Sequence, residues 1–311
     1  MFLASQVRNV SEMKDMLKQA GLTASDHCVV KVNWFFPGKG FYTDEKTLEL
    51  LLQCLDKVTV LEAYTFARND GTRNITVKNA KQNWEWIREQ DKRFLVEKGF
   101  ERLFKEYDVE YVNVTEEVWS NRSADPKKIQ KVVEEKFPPV KREELYSHVP
   151  SRVYELRGKK LISFAKLKQT SLRTNRISAC LKNMFGLIVD PKRERWHGER
   201  DRELAQSIVD INKVYGSLFQ TLGLCEMIYT TVHFSKDGAY PLPWSESDRY
   251  NLIENLGLAV CGDSLLTVDA YVSTLFGIAP DTMQHLALAA KVFGGWPQDT
   301  IAEAQTKRIG F

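Results

Sequence analysis

Short β-branched segments alternate with amphipathic helical segments along this chain, and that alternation constrains its fold more than any other feature. Residues 28–33 and 58–63 are apolar runs of strand length. Between them, leucines recur at helical spacing, at Leu48, Leu51, Leu52 and Leu55. A strand, a helix and a second strand in this order predict two parallel strands joined by a right-handed crossover. We therefore expect an α/β fold built on an open, mostly parallel sheet flanked by helices.

The same alternation resumes in the second half of the chain. Three further strands are predicted, at residues 160–165, 224–232 and 256–261. Helices and a helical tail are predicted from apolar residues at helical spacing, beginning near Ile177, Leu204, Leu265 and Asp281. Gly186 is placed to end the first of these helices.

The segment from about residue 72 to 150 differs from the rest because it is heavily charged and mostly helical. Within it, residues 109–114 predict one strand, and Asp125-Pro126 predicts the start of a helix with proline at its first position. We expect a single α/β domain over residues 1–311, with 72–150 as a helical insertion that acts as a cap. Its tryptophans, Trp84, Trp86 and Trp119, would then close over a ligand.

Composition excludes several classes of protein. Lys and Arg number 44 against 41 Asp and Glu, so the net charge of +3 is too balanced to favour nucleic acid. The start does not resemble a signal peptide, and no apolar run is long enough to span a membrane. Five scattered cysteines without a C-x-x-C pair fit a reducing compartment and do not predict an iron–sulfur cluster. We expect a soluble, cytoplasmic protein, and whether it forms a homo-oligomer stays open.

Polar side chains follow the predicted strands at their carboxyl ends, where ligands bind in open parallel sheets. On or after the strands these are Lys31, Asn33, Glu62, Arg68, Lys166, Lys168 and Asp263. Two predicted helices add Lys182, Asn183 and Asp269. Convergence of polar groups from several strand ends is what a binding site requires.

Several of these residues, and other polar residues near them, also have a purely structural interpretation. Asp44 and Asp263 are placed to cap helices, and Lys31 is placed to reach water from the end of a strand. The basic residues near the fourth predicted strand are consistent with a solvated face, namely Lys166, Lys168, Arg173, Arg176 and Lys182. His197 lies in what looks like an exposed loop. Residues 38–40 (GKG) predict either an anion cradle or an ordinary turn.

Two segments, 164–170 (FAKLKQT) and 178–186 (SACLKNMFG), resemble the family known as domain of unknown function 362. Lys166, Lys168, Lys182, Asn183 and Gly186 match its Lys-x-Lys and Leu-Lys-Asn motifs, whereas Gln169-Thr170 stands where the family has Thr-His. Weaker matches are Lys31-Val32-Asn33, Thr43-Asp44, Glu62, His197, Asp210-Ile211-Asn212, Gly262-Asp263 and Val268-Asp269-Ala270. The family's Gly-rich loop is replaced by the aromatic residues 234–251, which include Trp244. The resemblance implies a stand-alone member without the ferredoxin-like cluster domain.

The resemblance also implies that Lys31, Lys166, Lys182, Asn183, Asp263 and Asp269 form one site. We expect an enzyme that acts on a small anionic metabolite, a carboxylate or a phosphate. Its predicted catalytic residues are Lys166, Lys182, His197 and Asp269, and its predicted substrate-binding residues are Lys31, Asn33, Glu62, Arg68, Lys168, Asn183 and Asp263. Two alternatives stay open: a non-catalytic binding or assembly protein, and a divalent-metal enzyme with Asp210, Asp263 and Asp269 as candidate ligands.

Overall fold

Two β-sheets organise the chain. The computed structural model describes residues 1–170, 175–242, 245–307 and 309. In these ranges the strands are β1 (Phe2–Gln6), β2 (His27–Lys31), β3 (Lys57–Glu62), β4 (Glu110–Asn113), β5 (Lys160–Lys166), β6 (Lys168–Gln169), β7 (Ile177–Ser178), β8 (Gln220–Met227), β9 (Thr230–Phe234), β10 (Tyr240–Leu242), β11 (Ser245–Glu254) and β12 (Leu258–Gly262).

The main sheet has the strand order β1-β12-β8-β5-β2-β3-β4. Its central pairs, from β4 across to β8, are parallel, and β12 and β1 are added antiparallel at one edge. This arrangement confirms the predicted mostly parallel sheet. The carboxyl ends of β2, β3 and β5 therefore meet at one edge, as the strand order of a parallel sheet requires.

Helices cover both faces of the main sheet. They are α1 (Val10–Gln19), α2 (Glu45–Leu52), α3 (Trp84–Glu97), α4 (Phe100–Glu106), α5 (Val114–Trp119), α6 (Pro126–Glu134), α7 (Ser151–Glu155), α8 (Cys180–Met184), α9 (Glu194–His197), α10 (Leu204–Leu218), α11 (Leu265–Leu275), α12 (Gln284–Phe293) and α13 (Gln298–Thr306). None of the helices in the described ranges combines the length and the apolar character needed to cross a lipid bilayer.

The core is divided between the two faces because strand side chains alternate. On β2, Val30 packs with α1, α2 and α4, whereas its neighbour Val29 packs with α8, α10 and α11 on the opposite face. Asp44 caps α2 through a hydrogen bond from the Thr47 amide at 3.0 Å, as predicted. Gly186 does not end α8 in the predicted way, because the chain continues into a 3₁₀ turn over Phe185–Leu187.

The second sheet, with the order β10-β11-β9-β6-β7, was not predicted. The predicted strand at 224–232 divides into β8 and β9, and the aromatic segment 234–251 supplies β10 and β11 rather than a loop. Trp244 lies outside the described residues. Because β6 begins one residue after β5 ends, this sheet stands directly beyond the carboxyl end of β5.

The segment 72–150 contributes to the main sheet as well as to its surroundings. Its predicted strand is confirmed as β4, which pairs with β3 at the sheet's edge. Asp125 caps α6, as predicted from Asp125-Pro126. Trp84, Trp86 and Trp119 pack around Tyr64 in a separate apolar cluster. The single-domain boundary and the role of this segment as a cap stay predictions.

Candidate functional site

A cavity of about 560 Å³ opens at the carboxyl edge of the main sheet. Its walls come from the strand ends, from the second sheet and from the segment around α9. Predicted site residues that line it are Lys31, Asn33, Glu62, Lys168, Lys182, Asn183 and His197. The structure therefore brings together residues that lie up to 166 positions apart in the sequence.

The floor of the cavity is a hydrogen-bonded network around Lys31 at the end of β2. The Lys31 ammonium is 1 % exposed and forms an ion pair with Glu62 Oε1 at 3.0 Å. It also donates to the Val32 carbonyl at 2.6 Å and to Asn183 Oδ1 at 3.3 Å. Asn183 Nδ2 in turn donates to the Lys31 carbonyl at 2.9 Å and to Ser163 Oγ at 3.1 Å. These bonds fix Asn183 at the junction of β2, β5 and α8.

Lys168 and Asn33 extend the same network toward the second sheet. Asn33 Nδ2 donates to Asn183 Oδ1 at 3.0 Å, and Asn33 Oδ1 accepts a hydrogen bond from the Lys168 ammonium. Lys168 also donates to the Phe41 carbonyl at 3.2 Å. No carboxylate of the described residues is paired with Lys168, so its partners there are neutral oxygens.

Burial lowers the pKa of every lysine that lines the cavity. The pKa of Lys31 falls to about 8, because burial outweighs the opposing effect of Glu62. Burial, with the neighbouring charges of Lys182, Lys166 and Lys31, lowers the pKa of Lys168 to about 7. Burial lowers the pKa of Lys182 to about 8, with Asp201 acting in the opposite direction. In each case the cause is the removal of the ammonium from water, which disfavours the charged form.

Lys182 is the cation in this cavity that the described residues leave without a hydrogen bond or an ion pair. It is half-buried on α8 and lines the cavity next to Asn183. The start of α8 is held by Asp269 on α11, whose carboxylate accepts from the amides of Cys180 at 2.7 Å and Leu181 at 3.0 Å. Burial raises the pKa of Asp269 to about 8 against the effect of these two donors. Asp269 therefore does not line the cavity but holds the first residues of the helix that carries Lys182.

His197, at the end of α9, is paired with Asp201. Its Nδ1 lies 2.6 Å from Asp201 Oδ1, and both side chains line the cavity at about 30 % exposure. Burial lowers the pKa of His197, and the contact with Asp201 opposes that shift. The chain reaches this geometry through left-handed backbone at Arg200 (φ 51°) and Asp201 (φ 61°), which costs on the order of 1 kcal/mol each. Strain of this kind is concentrated at functional sites.

Asp201 and Arg193 were missed by sequence reasoning because both lie in a charged segment that resembles an exposed loop. Arg193 lines the cavity and donates to the carbonyls of Tyr64, Gly186 and Ile188 at 3.0–3.2 Å. Burial lowers its pKa to about 10. The helical spacing rule would not have found the His197–Asp201 pair, because α9 ends at His197 and the chain then turns through left-handed backbone.

The chain is similar to a known protein family. A family model described as domain of unknown function (DUF362) matches residues 28–274. The chain belongs to this family. A search of curated proteins and a search of solved structures each found no match. The matched span of this DUF362 protein contains every predicted residue that lines the cavity.

Gly186, which matches a family motif, stands where the floor of the cavity leaves no room for a side chain. A Cβ atom there would lie 2.8 Å from Lys31 Nζ, 3.1 Å from Lys31 Cε and 3.3 Å from Glu62 Oε1. Lys31 cannot move aside freely because its ammonium is held by three partners. The requirement for glycine therefore comes from close packing against the buried ion pair.

Several predicted site residues lie elsewhere. Lys166 is fully buried outside the cavity and pairs with Glu226 at 2.6 Å, so it is neither a cavity residue nor part of a solvated face. Arg68 is buried against Asp91 at 2.9 Å. Asp263 is exposed and pairs with the α-ammonium of Met1 at 2.6 Å.

The structural interpretations of other residues are corrected in part. Ser264, not Asp263, caps α11. Lys39, in the loop at 38–40, pairs with Glu254 on the second sheet and does not line the cavity. Lys31 is buried, which rules out the expectation of a charge reaching water. Arg173 lies outside the described residues.

The proposed metal ligands do not come together. Asp210 is buried between Lys213, at 2.7 Å, and the Lys141 amide, at 2.8 Å. Asp263 and Asp269 have the separate partners described above. Within the described ranges, no group of three or more His, Cys, Asp or Glu side chains could hold a metal ion. The candidate set Asp210, Asp263 and Asp269 therefore does not form a metal site.

Proposed function

We propose that this protein is an enzyme that binds a small anionic metabolite, a carboxylate or a phosphate, in the cavity at the sheet edge. The observation that carries the proposal is the Lys182 ammonium, which faces the cavity without a partner among the described residues. The charged lining as a whole supports it. Cations are in excess over carboxylates, with Lys31, Lys168, Lys182, Arg193 and Arg200 against Glu62, Glu194 and Asp201.

Lys182 and Lys168 are the groups that would bind the anion. An ammonium that donates to an oxyanion forms a charge-assisted hydrogen bond, which is stronger than a neutral one. Lys31 is already neutralised by Glu62, so its role is to hold Asn183 and the floor in place. A bound anion would return the pKa of Lys182 from about 8 toward its ordinary value, because it would supply a partner for the buried charge.

His197 is the group that would transfer a proton. The contact with Asp201 orients the ring through Nδ1 and leaves Nε2 as the nitrogen available for acid–base chemistry. Burial lowers the pKa of His197, which keeps the ring neutral and able to accept a proton near pH 7. The family's Thr-His pair is replaced by Gln169-Thr170, and both residues line the cavity. His197 would then be the acid–base group that this DUF362 protein retains.

The test is Lys182→Met, with Lys160→Met as the matched control. Both lysines are half-buried, but Lys160 begins β5 at the opposite end of the strand from the cavity. We expect Lys182→Met to bind acetate or inorganic phosphate at least about tenfold more weakly by calorimetry, because it removes a charged hydrogen bond. Its melting temperature should match that of Lys160→Met. Equal affinities in the two variants would refute the binding site.

Turnover needs a separate experiment. The wild-type protein would be incubated with a panel of organic acids and phosphate esters chosen by thermal shift, since a ligand that binds only the folded state stabilises it. Mass spectrometry should then detect product with the wild type and none with His197→Ala. Binding without product across the panel would favour a non-catalytic binding protein.

A cytoplasmic location and the absence of a nucleic-acid partner are further parts of the proposal, supported by the unpaired thiols and the balanced charge.

A further inference from the structure

Four polar residues of the cavity form one hydrogen-bonded network, and aromatic residues share the rest of the lining with the charged segment around α9. Lys31, Asn183, Asn33 and Lys168 form one continuous hydrogen-bonded network. The aromatic residues that line the cavity are Trp34, Phe35, Phe41, Phe66, Phe185, Phe234 and Tyr250, although the Trp34 ring itself packs against Phe94 and Phe100 in the core. A ligand that covers both the polar network and the aromatic residues has a charged end and an apolar body.

Two pairs of these aromatic side chains are in contact with each other. Phe35 and Phe66 meet edge to face with ring centroids 6.3 Å apart. Phe41 and Tyr250 meet in the same way at 5.0 Å, within an apolar cluster that the second sheet completes with Val232 and Leu242. Phe66 remains 39 % exposed, so its ring offers apolar surface that a ligand can cover.

The size of the cavity supports the same conclusion. A volume of about 560 Å³ lies within the range of pockets that enclose drug-sized ligands. A bare phosphate or acetate ion would occupy the floor and leave the aromatic wall in contact with water. Aromatic surface that remains hydrated contributes nothing to affinity, whereas covering it with an apolar group is favourable.

We propose that the ligand of this cavity is an oxyanion that carries an aromatic or similarly planar apolar group. The proposal rests on the anion site at Lys182 and names the class of molecule that the site accepts. The oxyanion binds at Lys182 and Lys168, and the ring packs against Phe66, whose side chain is 39 % exposed. Aryl carboxylates and aryl phosphates share this chemistry.

The experiment compares matched probes by calorimetry on the full chain: phenylacetate against acetate, and phenyl phosphate against inorganic phosphate. We expect the aryl member of at least one pair to bind at least about tenfold more tightly, because it buries apolar area that its partner lacks. Benzyl alcohol, which has the ring without the charge, should bind too weakly to measure. Phe66→Ala should reduce the difference in affinity between the aryl probe and its smaller partner, and it should leave the affinity for the smaller anion unchanged. The control Phe293→Ala, at a half-buried ring outside the cavity, should leave that difference as it is in the wild type.

The outcomes separate this inference from the anion site itself. If acetate and phosphate bind in a Lys182-dependent manner but the aryl probes bind no more tightly, the aromatic inference is overturned and the anion site stands. If benzyl alcohol binds as tightly as phenylacetate, the charged end is not recognised and both proposals fall. If no probe binds, both proposals fall as well.

Discussion

Raising the pH from 7 to 9.5 should weaken carboxylate binding to the cavity, and the size of the effect follows from Lys182. Burial places the pKa of this ammonium at about 8 when the cavity is free. A bound carboxylate supplies the missing partner and should return the pKa toward the ordinary lysine value of about 10.4. The bound state then holds a proton that the free state has lost, so affinity must fall as the pH rises past 8.

The magnitude can be worked from these two pKa values. Lys182 alone, moving from about 8 to about 10.4 on binding, reduces the observed affinity roughly 25-fold between pH 7 and pH 9.5. At pH 8.5 it takes up about three-quarters of a proton from the buffer. Lys168, whose pKa burial and neighbouring lysines lower to about 7, acts in the same direction, so both figures are lower bounds. The carboxylate probe itself stays ionised across this range because such acids titrate near pH 4.

Calorimetry measures both quantities. Acetate or phenylacetate, whichever binds more tightly, would be titrated in buffers of different ionisation enthalpy, which reports the protons taken up. The residual binding of Lys182→Met should lose the dependence on pH that we assign to Lys182. A wild-type affinity that is constant from pH 7 to 9.5, or proton uptake that persists unchanged in Lys182→Met, would refute the reasoning.

Three substitutions test the framework around the site by urea unfolding. Glu226→Ala removes the closer of the two carboxylates paired with Lys166, at 2.6 Å against 3.3 Å for Asp44, and should lower the free energy of unfolding by at most about 3–5 kcal/mol; a loss below about 1 kcal/mol would contradict the assigned ion pair. Asp269→Asn replaces one of the two carboxylate oxygens that accept from the amides at the start of α8, and it should lower the free energy of unfolding by about 1–3 kcal/mol. It should also weaken acetate binding, and unchanged binding would show that other contacts position α8. Gly186→Ala forces a methyl group to 2.8 Å from Lys31 Nζ and should cost about 1–3 kcal/mol, and a variant as stable as wild type would show that the floor can relax.

Local pattern was sufficient to predict six of the seven strands of the main sheet, whereas β1 was not predicted. Apolar runs of strand length alternate with leucine repeats at helical spacing, and each of these signals lies within a few neighbouring residues. The rule that ligands bind beyond the carboxyl ends of parallel strands then placed Lys31 and Lys168 in one site, and a predicted helix added Lys182. His197 was included because of the family resemblance, since a lone histidine in a charged segment gave little support by itself.

The second sheet could not be predicted in the same way because its strands are held by distant partners. Strand β6 has two residues and pairs with β7 and β9, so it carries no periodicity of its own. This affected the two lysines of the Lys-x-Lys motif directly. Lys166 ends β5 opposite Glu226 on β8 and turns into the core, whereas Lys168 begins β6 and reaches the cavity. Strand period alone predicts that both share one side.

Local sequence pattern also does not predict which group pairs with a buried charge. Asp269 was predicted to be catalytic, but its carboxylate accepts hydrogen bonds from backbone amides 88 and 89 residues away. Sequence gives the type of each side chain and its face on a helix. It does not say which end of which neighbouring helix the side chain will meet, and that contact decides between a catalytic and a positioning role.

The most direct test of the anion site is a crystal structure of the wild-type protein soaked in selenate, an oxyanion that anomalous scattering locates without reference to a model. The account predicts a selenium peak inside the cavity with an oxygen within hydrogen-bond distance of Lys182 Nζ, and no such peak in Lys182→Met. Selenate bound only at surface lysines, with the cavity vacant at the same concentration, would contradict it.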